Sequence, residues 1–331
     1  MQSMREIHQA TEADLTPELL SSVTPVVLRG LVAHWPLVQA AQQSDSATAA
    51  YLQPFITPKP VQAFLSPPPQ RGLYSYNADL TEFNFQRKLM PIAGVLEHIS
   101  QNADAAEPEG IYVGSTSVNH ILPGLRHSND IAVLQDKPLV SIWLSNPSRI
   151  PAHYDVTDNI ACVAAGRRRF TLFAPDQLDN LYVGPLDFTP AGQPVSLVDI
   201  QQPDFARFPK YRQALQQAQV AELAPGDAIF IPAMWWHSVE ALGRLNILIN
   251  YWWRQVDAFY GAPGDALQHA LLSIRDLPAA QRQVWCELFD YYVFSPQPQS
   301  HIPPQAQGVL QQLDELQARK LRALLLNKLN R

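Results

Sequence analysis

The sequence predicts a mainly β protein with flanking helices, and three observations carry that expectation. Between residues 131 and 255, short apolar or alternating segments recur at 140–144, 160–165, 170–173, 228–231, 238–241 and 245–253. Turn signals separate them: Asn146-Pro147-Ser148, Ala174-Pro175-Asp176 and Pro225-Gly226-Asp227. Many short strands punctuated this way argue for an antiparallel sandwich or barrel. Second, 29 prolines and only 16% charged residues favour short strands and ordered loops over a coiled coil or a disordered tail. Third, helical apolar spacing flanks this stretch on both sides.

Three parts follow from that pattern. Residues 1–130 read as a mixed segment packing on the barrel. Thr16-Pro17-Glu18 is an N-cap with proline at the first helical position. Residues 25–28 form a short buried strand closed by Gly30, and Met90, Ile92, Val95, Leu96 and Ile99 place a helix over 89–102. The run Pro67-Pro68-Pro69 predicts an irregular exposed loop across 54–72. Residues 131–255 are the β core, with a long insertion after Gln177 of the kind that forms lids. Residues 256–331 read as helical, and from about Gln305 an apolar stripe runs through Leu310, Leu313, Leu316, Leu321, Leu324, Leu325 and Leu329. Such a stripe needs a partner, either its own barrel or the same helix of a second copy in a homodimer.

Composition excludes several classes of function. With 47% hydrophobic residues in 331 there is material for a sizeable core. The net charge of −6 gives no global attraction to nucleic acid or anionic lipid, which disfavours nucleic acid as a partner. Two cysteines, Cys162 and Cys286, support neither a disulfide framework nor a thiolate zinc site. The acidic N-terminal residues and the lack of any 18-residue apolar run lead us to expect a cytoplasmic protein without a signal peptide or a membrane span. There is no nucleophile elbow, P-loop or dinucleotide fingerprint.

The chemistry centres on His153-Tyr154-Asp155 and on His237, 82 residues past the Asp. On a strand, residues i and i+2 share a face, so His153 and Asp155 can point inward with Tyr154 outward. Two imidazoles and one carboxylate on one face of a metal suit non-haem Fe(II), because they leave positions open. A His-x-Asp alone means little: nine His and 19 Asp make about half an occurrence expected by chance. Its place at the start of the strand-rich section, and His237 after a Pro-Gly-Asp turn and an apolar strand, give it weight.

Longer stretches add a resemblance. Pro151-Ala152-His153-Tyr154-Asp155, the run from Gly166 through Gln177, Asp204-Phe205-Ala206-Arg207-Phe208-Pro209, the run from Pro225 through Pro232, and Trp235-Trp236-His237 resemble the JmjC-type, cupin-like 2-oxoglutarate oxygenases, nearest their asparaginyl-hydroxylase branch. The likeness is dense from about residue 140 to 254 and looser upstream. It implies a double-stranded β-helix (jelly-roll) core holding Fe(II) through His153, Asp155 and His237. It also implies 2-oxoglutarate and dioxygen as co-substrates, and hydroxylation as the reaction. The cation for the distal carboxylate of 2-oxoglutarate falls at Arg168, where the likeness has lysine. Strand alternation agrees, because 168 shares its face with Phe170 and Leu172 while Arg167 and Arg169 share the other, read as a solvated edge. The same likeness places Tyr112 toward the distal carboxylate and Asn159 and Asn250 near the metal-bound end. Ile150 stands where it has a threonine.

The remaining candidates have ordinary readings. Trp235, Trp236, Trp252 and Trp253 are expected in the core or at the barrel rim, and Cys162 as a small core hydrophobe. The substrate is expected to be a protein or peptide side chain or a small molecule. The alternatives are an RNA or ribosomal-protein oxygenase of the same chemistry, a metal cupin doing non-oxidative work, and a silent scaffold. Histone-type demethylation is weakest, because no chromatin-reading segment accompanies the barrel.

Overall fold

The computed structural model describes residues 4–134, 138–190 and 192–330. Thirteen strands occur among them: β1 (Arg5–Ile7), β2 (Val26–Leu28), β3 (Pro60–Ser66), β4 (Gln86–Pro91), β5 (Gly110–Ser117), β6 (Leu139–Ser145), β7 (Ser148–Tyr154), β8 (Asp158–Ala165), β9 (Arg168–Phe173), β10 (Gln219–Leu223), β11 (Ala228–Ile231), β12 (Trp236–Ala241) and β13 (Asn246–Trp253). They form a nine-stranded sheet, β1-β2-β11-β8-β13-β6-β5-β3-β4, and a four-stranded sheet, β10-β9-β12-β7. All pairings are antiparallel except β1 with β2. Two sheets of this kind with flanking helices are a jelly-roll core.

Side-chain alternation builds the layers. Val27, Ala161, Val163, Ile229, Ile231 and Leu248 from the large sheet meet Phe170, Leu172, Ala221, Leu223 and Val239 from the small one in one buried cluster. The opposite face of the large sheet, with Val26, Leu28, Ile142, Ile160, Cys162, Phe230 and Tyr251, packs on α2 and α4, described next. This explains why β8 reads as an unbroken apolar run: both of its faces are covered. The N-terminal helices are α1 (Pro17–Leu20), α2 (Pro36–Gln43), α3 (Asp45–Leu52), α4 (Ile92–Gln101) and α5 (Val118–Ile121). Thr16 caps α1 by accepting from Leu19 N–H at 3.3 Å. α4 starts at Ile92, because Met90 and Pro91 belong to β4.

The insertion is more ordered than a lid loop. It contains α6 (Tyr211–Gln217) and ends in β10, and its Leu181, Val198, Phe208 and Tyr211 pack on the outer face of the small sheet against Ala152, Phe173 and Trp236. The expected irregular loop over 54–72 is also corrected. Residues 60–66 are β3, a central partner of β4 and β5. Pro60 sits at the strand's first position, where a missing N–H is tolerated, and only the prolines from 67 onward break the pattern.

Two compact units result, one ending at Trp253 and one beginning at Arg254. The second holds α7 (Pro263–Ser273), α8 (Ala279–Phe289) and α9 (Glu315–Leu329). α9 starts ten residues later than the stripe suggests, where Asp314 and Gln317 cap it reciprocally at 2.7 and 3.1 Å. Leu310, Leu316, Leu324, Leu325 and Leu329 of the stripe are exposed, and Ala318 is the one buried apolar residue described in this unit. No helix among the described residues is long and apolar enough to cross a membrane.

Candidate metal centre and its cavity

The ladder between β7 and β12 sets His153 directly opposite His237, with ring centroids 4.4 Å apart. Asp155 lies one residue beyond the end of β7 rather than on it. Its Oδ2 nonetheless approaches His237 Nε2 at 3.7 Å, because the turn before β12 is folded back onto it. Met234 N–H donates to the Asp155 carbonyl at 2.8 Å, and Ala233 N–H donates to Asp158 Oδ1 at 2.9 Å. Met234 takes a left-handed backbone (φ +68°) to do so, a strained conformation held in place beside the site. Ligand atoms of His153, Asp155 and His237 all lie within 4.8 Å of one another.

Each imidazole is oriented by the backbone carbonyl two residues before it. His153 Nδ1 is 2.9 Å from the Pro151 carbonyl and His237 Nδ1 is 3.0 Å from that of Trp235. A carbonyl only accepts, so Nδ1 carries the proton in both rings and Nε2 presents its lone pair. Burial, reinforced by the neighbouring His153, pushes His237 down to about 4 against the opposing pull of Asp155. It is therefore neutral near pH 7 and ready to bind a cation. The carboxylate is held by an amide chain: Asn250 Nδ2 donates to Asn159 Oδ1 at 2.8 Å, and Asn159 Nδ2 to Asp155 Oδ2 at 3.4 Å.

Behind this cluster lies a cavity of about 40 Å³ whose lining includes Tyr112, Ile150, Asn159, Arg168, Asn250 and Trp252 with the three cluster residues. Arg168 is 2% exposed, and its Nε and Nη2 have no hydrogen-bond partner among the described residues. Burial pushes its guanidinium down to about 10, the nearby Tyr112 acting the other way, and burial raises the Tyr112 hydroxyl. An unpaired buried cation is costly, and buried groups of this kind are ordinarily paired. Asn250 Oδ1 and the indole N–H groups of Trp143 and Trp252 are also buried without partners.

In front of the cluster a larger cavity of about 370 Å³ opens. Phe64, Tyr74, Phe85, Tyr112, Trp143 and Trp252 wall it, with Ile150, Thr157 and Gln193 among the rest. Four of these rings, Phe64, Tyr74, Phe85 and Tyr112, form a buried cluster of their own.

The structure thus brings His153, Asp155, His237, Arg168, Tyr112, Asn159, Asn250 and Ile150 to one place. Trp252 is half-buried and lines both cavities, because 248, 250 and 252 alternate inward on β13. Arg167 is exposed and Arg169 half-buried; both pair with Glu222 at 2.6 Å, and Arg169 reaches Glu240 at 3.4 Å. Sequence reasoning missed Trp143, Tyr74, Phe64 and Phe85. Trp143 stands opposite Leu248 on the neighbouring strand, a register that no local pattern announces.

The cupin-like domain family matches residues 12–259, three-quarters of the chain. The protein belongs to the cupin-like family. It is similar to "Lysine-specific demethylase 8" of Xenopus tropicalis, 25% identical over 240 residues, covering 69% of this chain and 48% of that protein. It is also similar to "Lysine-specific demethylase JMJ31" of Arabidopsis thaliana, 31% identical over 116 residues (35% of this chain, 21% of the relative). The "tRNA wybutosine-synthesizing protein 5" of Danio rerio is 32% identical over 114 residues (34% and 32%). The matches span less than half the length of these relatives.

Proposed function

We propose that this protein is an Fe(II)- and 2-oxoglutarate-dependent oxygenase that hydroxylates a side chain of a protein or peptide, with His153, Asp155 and His237 as the metal ligands. The observation that carries the reading is Arg168, an unpaired buried guanidinium sharing a small cavity with two imidazoles and a carboxylate. A cupin using its metal for non-oxidative work on a neutral substrate has no need of such a cation. A dicarboxylate that chelates a metal at one end and must be held at the other needs both.

The donor set fits the metal. Two imidazole nitrogens and one carboxylate oxygen on one face leave positions open, the pattern that suits non-haem Fe(II). When bound, ferrous iron supplies the activation of dioxygen, coupled to decarboxylation of 2-oxoglutarate to succinate and CO2. The chain supplies geometry. The carbonyls of Pro151 and Trp235 fix which imidazole nitrogen faces the metal, and Asn159 holds Asp155. Arg168 would hold the distal carboxylate with Tyr112 beside it, while Asn159 and Asn250 would lie toward the other end. Ile150 offers no hydroxyl to the co-substrate and adds an apolar wall beside the aromatic ones. The likeness to the asparaginyl-hydroxylase branch is part of this proposal.

The test is succinate formation from 2-oxoglutarate with ferrous iron in air, with and without candidate peptides. Release that requires iron and disappears in Asp155→Ala supports the reading. No iron-dependent succinate under any condition contradicts it. We further propose that the exposed leucines of the unit beginning at Arg254 seat a second copy of the chain. Solution mass decides this: a dimer supports it, and a monomer at micromolar concentration ends it.

A further inference from the structure

A cation that the metal centre does not use stands at the mouth of the outer cavity. Arg87 lies exposed on β4, the edge strand of the large sheet. Its guanidinium carbon is 5.0 Å from the ring centroid of Phe83, 5.5 Å from Phe64 and 6.0 Å from Phe85. Nη2 donates to the Pro190 carbonyl at 3.2 Å. Phe64, Phe85 and Pro190 line the 370 Å³ cavity. Arg87 itself lines a second cavity of about 330 Å³, which shares Phe64, Ser115, Trp143 and Pro190 with the first and so continues it. Among the described residues no carboxylate pairs with Arg87, and Asp155 is the one acidic side chain lining either cavity.

We propose that Arg87 is a charge filter: the substrate is a polypeptide segment whose target side chain is uncharged, and cationic side chains of the lysine type are turned away. This rests on the oxygenase reading above. Aromatic walls alone would welcome a methylammonium, because ring faces attract cations. Here a guanidinium already lies over Phe64, Phe83 and Phe85, so a second cation approaching these rings meets its repulsion, and Asp155 of the metal cluster is the one carboxylate lining either cavity. A unit charge brought within about 7 Å of this exposed guanidinium is disfavoured by roughly threefold or more.

A polypeptide fits better than a polynucleotide. The second cavity presents Gln62, Ser115, Thr116 and Thr189 beside a single cation, whereas a polynucleotide is held by several phosphate contacts. At this place β5 bulges, its register against β6 shifting between Val113 and Thr116, and Gly114, Ser115 and Thr116 of the bulge line the second cavity.

The test uses the iron-loaded protein and peptide mixtures randomised around one fixed central residue: norleucine, glutamine or trimethyllysine. Succinate release is read in the wild type, in Arg87→Gln and in Arg87→Glu. The account expects norleucine or glutamine mixtures to raise release above the substrate-free rate, and trimethyllysine mixtures to leave it there. Arg87→Glu should shift the ratio by about tenfold or more toward the cation, with Arg87→Gln between. Four results overturn the filter: trimethyllysine as effective as the neutral residues in the wild type, an unchanged ratio in Arg87→Glu, no response to any peptide, or stimulation by oligoribonucleotides instead. A protein that makes no succinate at all fails on the oxygenase reading, a result separable from these four.

Discussion

The two ends of the inner cavity are built in opposite ways. At the metal end every orienting contact is already made: both Nδ1 atoms are bonded to backbone carbonyls and Asp155 is held by Asn159. At the far end Arg168 has two donor atoms with no partner among the described residues. A satisfied group is positioned in advance, whereas an unsatisfied buried group destabilises the fold until something binds it. The difference teaches that the metal end is preorganised and that the far end keeps its hydrogen-bonding capacity for a ligand.

Removing a group from the prepared end has the largest effect. His237→Ala should lower iron affinity by at least about 100-fold, since losing mere supporting contacts already costs 10–100-fold. Equilibrium dialysis with ferrous iron measures it. Asn159→Ala, which removes a support and leaves all three ligands, should fall within that smaller range. Equal losses in the two variants would erase the distinction between ligand and support.

The far end responds through stability. Arg168→Met removes an unpaired buried charge and should stabilise the ligand-free protein by about 1 kcal/mol or more, raising its melting temperature by about 1–2 °C or more. A fall would mean that Arg168 is satisfied in the free protein. Gly166, in the turn between β8 and β9 that sets the register of Arg168, has φ +71°, and a Cβ there would lie 2.2 Å from Asn246 Oδ1. Gly166→Ala should therefore lower the melting temperature, because neither backbone nor neighbour accommodates the methyl.

The pH dependence of the metal-free protein is a further handle on the prepared end. His237 is held at about 4 when folded against about 6.5 when unfolded, so between those values the unfolded chain binds the extra proton. The contribution to stability is fully present above pH 6.5 and is lost as pH falls toward 4. Urea unfolding at pH 7 and pH 5 should show this loss in the wild type and a smaller one in His237→Gln.

Much of this was legible in the sequence where the signal is local. Segments 160–165, 170–173 and 228–231 are apolar because their strands are buried, and the two-residue alternation around Arg168 separates it from its neighbours. What stayed hidden depends on partners far along the chain. The polar edge strand β10 owes its existence to β9, and β3 follows Pro60 in a stretch dominated by later prolines. The aromatic wall gathers Phe64, Tyr74, Phe85, Tyr112 and Trp143 from five separate stretches, and Arg87 matters only through rings and a carbonyl up to 103 residues away. Asp155 was identified through strand periodicity, yet it reaches the cluster through the turn at Met234.

The most direct test of a cavity prepared at one end and waiting at the other is calorimetric titration of 2-oxoglutarate, without oxygen, into the iron-loaded wild type and Arg168→Met. Saturable one-to-one binding in the wild type, weakened by about 100-fold in Arg168→Met, is the predicted result. Equal affinity in the two proteins would contradict the account, because Arg168 would then hold no ligand.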